Sequence, residues 1–176
     1  VFDAVLAGRR FYPVVTLMQT REQNAGESSI EISISAQHLR VFQGKRQLAS
    51  FAVSTSRFGV GSREGSNKTP LGGFQVGEKI GDGAQLMTVF KARKPVGVHD
   101  CQQASEGDLV MTRILWLHGC EEHNANTRGR YIYIHGTNHE QDLGQPASFG
   151  CIRMGNKDVV SLFGMVDVGG KVRIVE

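Results

Sequence analysis

Tyr131-Ile132-Tyr133-Ile134-His135 decides how this chain is read. A β-branched and aromatic run that alternates at every residue is the pattern of a strand with two unlike faces. Ile132 and Ile134 point one way and form the natural core face, while Tyr131, Tyr133 and His135 point the other way. The strand therefore delivers His135 on its polar, more open face, at its end, directly before Gly136.

Outward from this strand the same period recurs. Ile30, Ile32 and Ile34 alternate with Glu31, Ser33 and Ser35 as a half-buried strand. Leu39 to Phe42, the turn Gln43-Gly44-Lys45 and Leu48 to Val53 form a hairpin. Gly59 to Lys68 is rich in glycine and charge, lacks a period and predicts a loop; no helix pattern follows it, so it is not a dinucleotide fingerprint. Gly73 to Val76 and Leu86 to Phe90 are short strands, and Leu109 to Leu117 is a longer one buried on both faces. Downstream of the deciding strand, Cys151 to Met154 opens another short element. Asn156 then reads as a helix N-cap with Asp158 in the first turn. Val159, Val160, Leu162, Phe163 and Val166 form the buried helix face; Gly169-Gly170 ends the helix, and Lys171 to Val175 is a last strand. Residues 1–29 read as an N-terminal arm or linker and 30–176 as one mainly β domain with a short helix.

Composition agrees. The chain has 176 residues, 40% hydrophobic, with 22 glycines and 4 prolines, a balance that suits a loop-rich β protein with a continuous core. The net charge is +3 with scattered positive residues, which argues against nucleic acid as a partner. No apolar stretch approaches the ~18 residues of a membrane helix. The chain starts at Val1 without a signal-peptide pattern and reads as trimmed. Three cysteines, Cys101, Cys120 and Cys151, leave at least one thiol unpaired within the chain; Cys101 and Cys120 are one possible pair. His118, Cys120 and His123, with Cys101, can be drawn as a zinc site, but the spacing matches no standard pattern and a polar loop after the Leu109–Leu117 strand accounts for it better. His135 and His139 are four apart, yet Gly136 and the turn-like Thr137-Asn138 oppose a helix that would present both to a metal.

The chemistry centres on Ser148-Phe149-Gly150-Cys151. Glycine before cysteine permits a sharp turn and close approach to a ligand, and amides in such a turn can stabilise an oxyanion. A thiol with an ordinary pKa near ~8.5 needs help to become a nucleophile, and an imidazole supplies it. His135 lies 16 residues upstream, across a loop through Gly144 and Pro146 that can return Cys151 beside it. An arbitrary cysteine and histidine more often fill structural roles, so spacing alone decides nothing.

The ordered motifs do more. Tyr131-Ile-Tyr-Ile-His-Gly-Thr followed by Gly144-Gln-Pro-Ala-Ser-Phe-Gly-Cys-Ile-Arg-Met resembles the L,D-transpeptidase catalytic-domain family of bacterial cell-wall enzymes. Val53-Ser54-Thr55, Lys68-Thr69-Pro70-Leu71-Gly72-Gly73-Phe74, Gln37-His38-Leu39 with Phe42, and Met111 to Leu117 are similar to further family segments, so the resemblance runs from about Ile30 to Val175. It implies a β-sandwich with a short helix after the cysteine and a cysteine acyl-enzyme mechanism on peptidoglycan stem peptides, without a cofactor, in a periplasmic or exported protein sensitive to carbapenems. Carried over by position, Cys151 is the nucleophile, His135 the base, and the Gly136 carbonyl orients the imidazole. Gly150 and Cys151 amides form the oxyanion hole, Ser148 lines the site, and Arg153, sharing the face of Cys151, meets a substrate carboxylate. Tyr133 is either a cleft wall or a sheet-surface residue. One position departs: the family pattern has histidine before Gly-Cys, and here Phe149 stands there, which narrows the pocket, alters the acceptor or lowers activity. The residues leave open transfer to an amine, hydrolysis as a carboxypeptidase or amidase, and a non-catalytic wall-binding module.

Overall fold

The computed structural model describes residues 27–100 and 107–176. Ten strands form one sheet: β1 (Ser28–Ser33), β2 (His38–Gln43), β3 (Arg46–Ser54), β4 (Gly72–Ile80), β5 (Thr88–Lys91), β6 (Lys94–Val98), β7 (Val110–Gly119), β8 (Tyr133–Gly136), β9 (Ile152–Met154) and β10 (Lys171–Val175), with helix α1 (Asn156–Met165) between the last two. The order is β4-β10-β1-β2-β3-β9-β8-β7-β5-β6, and β4 also pairs with β7. The sheet thus closes on itself, and the two layers expected of a sandwich are parts of one continuous sheet. Most neighbours are antiparallel; β1–β10 and β8–β9 run parallel. Of the expected N-terminal arm only residues 27–29 are described, the last two within β1. No helix among the described residues is long and apolar enough to cross a membrane.

Period-two alternation builds the main core. Ile30 and Ile32, Leu39 and Val41, Val53, Phe74 and Val76, Leu115 and Leu117, Ile132 and Ile134, Ile152 and Met154, and Val172 and Ile174 all point inward. Each such side chain contributes about 1.5–3 kcal/mol on full burial. The register follows from this pattern, because a one-residue slip would turn every inward residue out. β7 is buried on both faces, as its apolar run predicts: Leu115 and Leu117 join the main core, while Ile114 and Trp116 join a smaller cluster with Phe90 and Tyr133. Cys151 packs against that smaller cluster.

Two expectations change at α1. Gly155, not Asn156, is the N-cap, and Asn156 is the first helical residue. Its side chain has other partners: Nδ2 donates to the Thr137 carbonyl and to Glu140 Oε1, both at 2.7 Å, and Oδ1 accepts from Thr112 Oγ1. The Asn156 backbone N–H also donates to Glu140 Oε1 at 2.7 Å, so a carboxylate satisfies the helix start from outside. Val160, placed on the buried face by periodicity, is 37% exposed, because Val159, Leu162 and Phe163 already fill the stripe facing the sheet.

Candidate active site

The parallel pairing of β8 with β9 sets Ile134 opposite Ile152 and His135 opposite Arg153. Since Ile134 and Ile152 face the core, His135 and Arg153 share the other face, and two residues back along each strand so do Tyr133 and Cys151. The sulfur is held by backbone: the Tyr133 N–H donates to Cys151 Sγ at 3.4 Å, and the thiol donates to the Tyr131 carbonyl at 3.3 Å. The fold therefore brings the loop-borne cysteine onto the strand that carries the histidine.

His135 is 1% exposed, in contrast to the open face expected for it; Trp116, Phe90 and Tyr133 fill the neighbouring part of that face. Its Nδ1 lies 2.7 Å from the Gly136 carbonyl oxygen. A carbonyl only accepts, so Nδ1 carries the hydrogen and Nε2 keeps its lone pair. Gly136 can stand there because it lacks a side chain: a Cβ would come 2.4 Å from Asn156 Oδ1 and 2.9 Å from the Met111 carbonyl. Burial lowers the His135 pKa below its usual value and the Arg153 charge lowers it further, against opposing pulls from Asp108 and the Gly136 carbonyl. Burial pushes the Cys151 thiol up to about 11, although the Tyr133 N–H and the charges of Arg153 and Arg130 favour the thiolate. Burial thus favours the uncharged form of both groups.

Arg153 does not present its guanidinium to solvent. It is 1% exposed and donates to Asp108 Oδ2 from Nε at 3.0 Å and from Nη2 at 2.6 Å. Its Nη1 has no hydrogen-bond partner and lies 3.9 Å from Asp142 Oδ2. Asp108 therefore stands where a substrate carboxylate was expected.

Ser148 is fully buried and organises the turn: its hydroxyl donates to the Cys151 carbonyl at 2.6 Å and accepts the Gly150 N–H at 3.2 Å. The Gly150 amide is thus already engaged. Gly150 has φ +120°, a conformation glycine tolerates, and its carbonyl accepts from Thr69 Oγ1 at 3.0 Å. Phe149 projects outward at 49% exposure, with its ring centroid 5.8 Å from that of Phe58 and the Arg57 guanidinium 4.7 Å over its face. Tyr133 is 7% exposed and packs edge-on to Trp116 at 5.6 Å, so it is not a sheet-surface residue.

Three neighbours escape a reading of sequence. Asp108 pairs across 45 positions, with no local pattern to announce it. Arg130 donates to the Gly61 and Lys68 carbonyls, at 3.1 and 2.6 Å, and so ties the 59–68 loop beside the site. Trp116 was legible as family sequence but not as part of the cysteine's surroundings. The alternative zinc residues do not converge: among the described residues no group of three or more histidines, cysteines or acids is placed to hold a metal. A Cys101–Cys120 pairing lies outside the described residues.

With strand, loop, thiol and imidazole so arranged, the family can be stated. Residues 27–174 match the family model YkuD, L,D-transpeptidase catalytic domain, and the chain belongs to that family. It is 50% identical over 50 residues to the Bacillus subtilis protein YqjB, covering 28% of each chain. It is also 46% identical over 48 residues to Escherichia coli ErfK/SrfK, covering 27% of this chain and 16% of that protein. These matches span well under a third of either relative. Among solved structures, an L,D-transpeptidase from Xylanimonas cellulosilytica aligns with TM-score 0.56 at 18% identity over 87% of this chain and 62% of that one. One from Mycobacterium tuberculosis H37Rv aligns with TM-score 0.55 at 16% identity over 85% and 58%. At such identities these likenesses speak to the fold.

Proposed function

We propose that the chain is a cysteine acyltransferase acting on peptidoglycan stem peptides. The observation that carries the reading is the parallel β8–β9 pairing, which sets Cys151 and His135 on one face with Nδ1 bonded to the Gly136 carbonyl. That bond leaves Nε2 as the proton acceptor, the tautomer a general base requires. The thiol proton passes to Nε2 as sulfur attacks the carbonyl carbon before the terminal D-alanine. The oxyanion collapses, the C–N bond breaks, and Nε2 returns the proton to the departing amine. An acceptor amine then attacks the thioester, gives its proton to Nε2, and sulfur leaves and recovers it. Burial favours the uncharged form of both groups, which supports proton transfer in step with attack. Gly136 is a positioning residue, Tyr133 a wall, and Ser148 and Gly150 shape the turn that presents the nucleophile. Arg153 orders the site through Asp108. Phe149, exposed two residues before the nucleophile, borders the acceptor side. A wall substrate places the working protein in the bacterial envelope.

Water as acceptor would make the same site a carboxypeptidase or amidase. Product masses from a defined muropeptide, with and without an added amine, separate transfer from hydrolysis. The exposed Phe149, where the family pattern has histidine, favours weighing a wall-binding module without turnover. Incubation with a carbapenem decides that question: the reading predicts a mass increase of one adduct on the native chain and none on Cys151→Ala. A folded native chain that never gains mass would refute it.

A further inference from the structure

On the β7 side of Cys151 two cations share one aromatic side chain. The Arg93 guanidinium lies 4.7 Å from the Trp116 ring centroid and 5.4 Å from that of Tyr131, and the Arg128 guanidinium lies 5.3 Å from the same indole. Tyr131 stacks on Trp116 at 5.9 Å and is 54% exposed. Among the described residues neither arginine forms an ion pair. Glu78 stands opposite Trp116 in the β4–β7 register and its charge favours the Arg93 cation, but among the described residues it forms no ion pair with either arginine. Like charges gathered at one ring repel, and cation–π attraction offsets only part of that. Arg93 is also held there at a cost. It and Ala92 form the β5–β6 turn with φ +66° and +46°, a left-handed conformation that neither residue favours, and its Nη1 donates to Tyr133 Oη at 3.3 Å.

The aromatic cluster under these cations also borders the nucleophile, since Trp116 and Tyr133 belong to the cluster that Cys151 packs against. The Tyr131 carbonyl accepts the Cys151 thiol and the Tyr133 N–H donates to its sulfur, so the two tyrosines that border the arginines also hold the sulfur. We infer that Arg93 and Arg128 form a carboxylate-binding subsite for the stem peptide that Cys151 attacks, an inference that rests on the acyl-transfer reading. A planar guanidinium is built for a carboxylate. A donor stem offers two near the scissile bond: the terminal carboxylate of the departing D-alanine and the side-chain carboxylate of a diaminopimelate third residue. By contrast, Arg57 on the Phe149 side commits Nε and Nη2 to the Ala147 carbonyl, at 3.0 and 2.7 Å.

The test measures kcat/KM for acylation with three synthetic tetrapeptide donors: both carboxylates free, the terminal one amidated, or the side-chain one amidated. The native chain is expected to lose on the order of tenfold with one of the amidated donors, which names the source. In Arg93→Gln/Arg128→Gln the ratio between free and amidated donors falls to about one, and Arg93→Lys/Arg128→Lys restores part of it, separating charge from packing. Equal rates for all three donors in the native chain, or full discrimination retained in the glutamine variant, would overturn the subsite while leaving acyl transfer standing. Absence of any acylation by the native chain would overturn both.

Discussion

Cys151 and His135 are each pushed by burial toward the neutral form, with opposite consequences along the pH scale. An unfolded thiol ionises near 9.0, whereas the folded one holds its proton up to about 11. Between those values the unfolded chain binds fewer protons, so stability falls as pH rises. Below pH 6.5 the unfolded histidine takes a proton that the folded one resists, so stability falls as pH drops. Urea unfolding from pH 7 to 10.5 should therefore show the native chain losing stability relative to Cys151→Ala as pH rises; parallel curves would contradict a raised thiol pKa. Asp108 matters at the same scale. Asp108→Asn leaves the buried Arg153 with only the more distant Asp142 carboxylate, a loss of about 3 kcal/mol, at the low end for buried pairs because Asp142 remains and the Asp108 side chain is 23% exposed. It also removes a charge that raises the His135 pKa, so the acid limb of the activity profile should move to lower pH. An unchanged limb in a stable variant would separate Asp108 from the imidazole. That His135 shares a face with Tyr133, and Arg153 with Cys151, was legible because strand alternation is a local signal; the partner of Arg153 was not, because strand parity fixes the face of a side chain and not what meets it.

Elements were read well where one face is buried and poorly where none is. β1 to β3 and β7 to β10 announce themselves by inward residues. β6 went unread because all five of its residues are exposed, leaving no alternation to see, and its turn uses Ala92-Arg93 in place of Asn-Gly or Asp-Gly. The start of α1 was misplaced by one residue because Asn156 has the side chain of a good cap, yet Glu140, Thr137 and Thr112 engage it. The helix face gives a sharp comparison. Leu162→Ala should cost about 2–5 kcal/mol by opening a cavity under the sheet, while Val160→Ala should fall within about 0.5 kcal/mol. Chemical denaturation of both checks this, and equal losses would put Val160 in the core after all.

For the whole molecule, the mainly β class and the short helix behind the cysteine followed from periodicity and glycine content, and family motifs implied the sandwich. Closure through β4–β7 did not follow, because pairing between distant strands leaves no trace in either strand's own pattern. The strand order itself shapes the site: β7 carries Trp116 beside β8, while the residue leading into β9 is Cys151, at the other edge of β8. The proposed acyl transfer requires this assembly to form a thioester at one sulfur. Its most direct measurement is the intact mass of the chain mixed with a defined tetrapeptide donor and quenched before turnover, followed by peptide mapping. The expected result is a gain equal to the donor minus D-alanine, located on Cys151, absent in Cys151→Ala and greatly slowed in His135→Gln. No adduct on a folded native chain, or an adduct that survives Cys151→Ala, would contradict it.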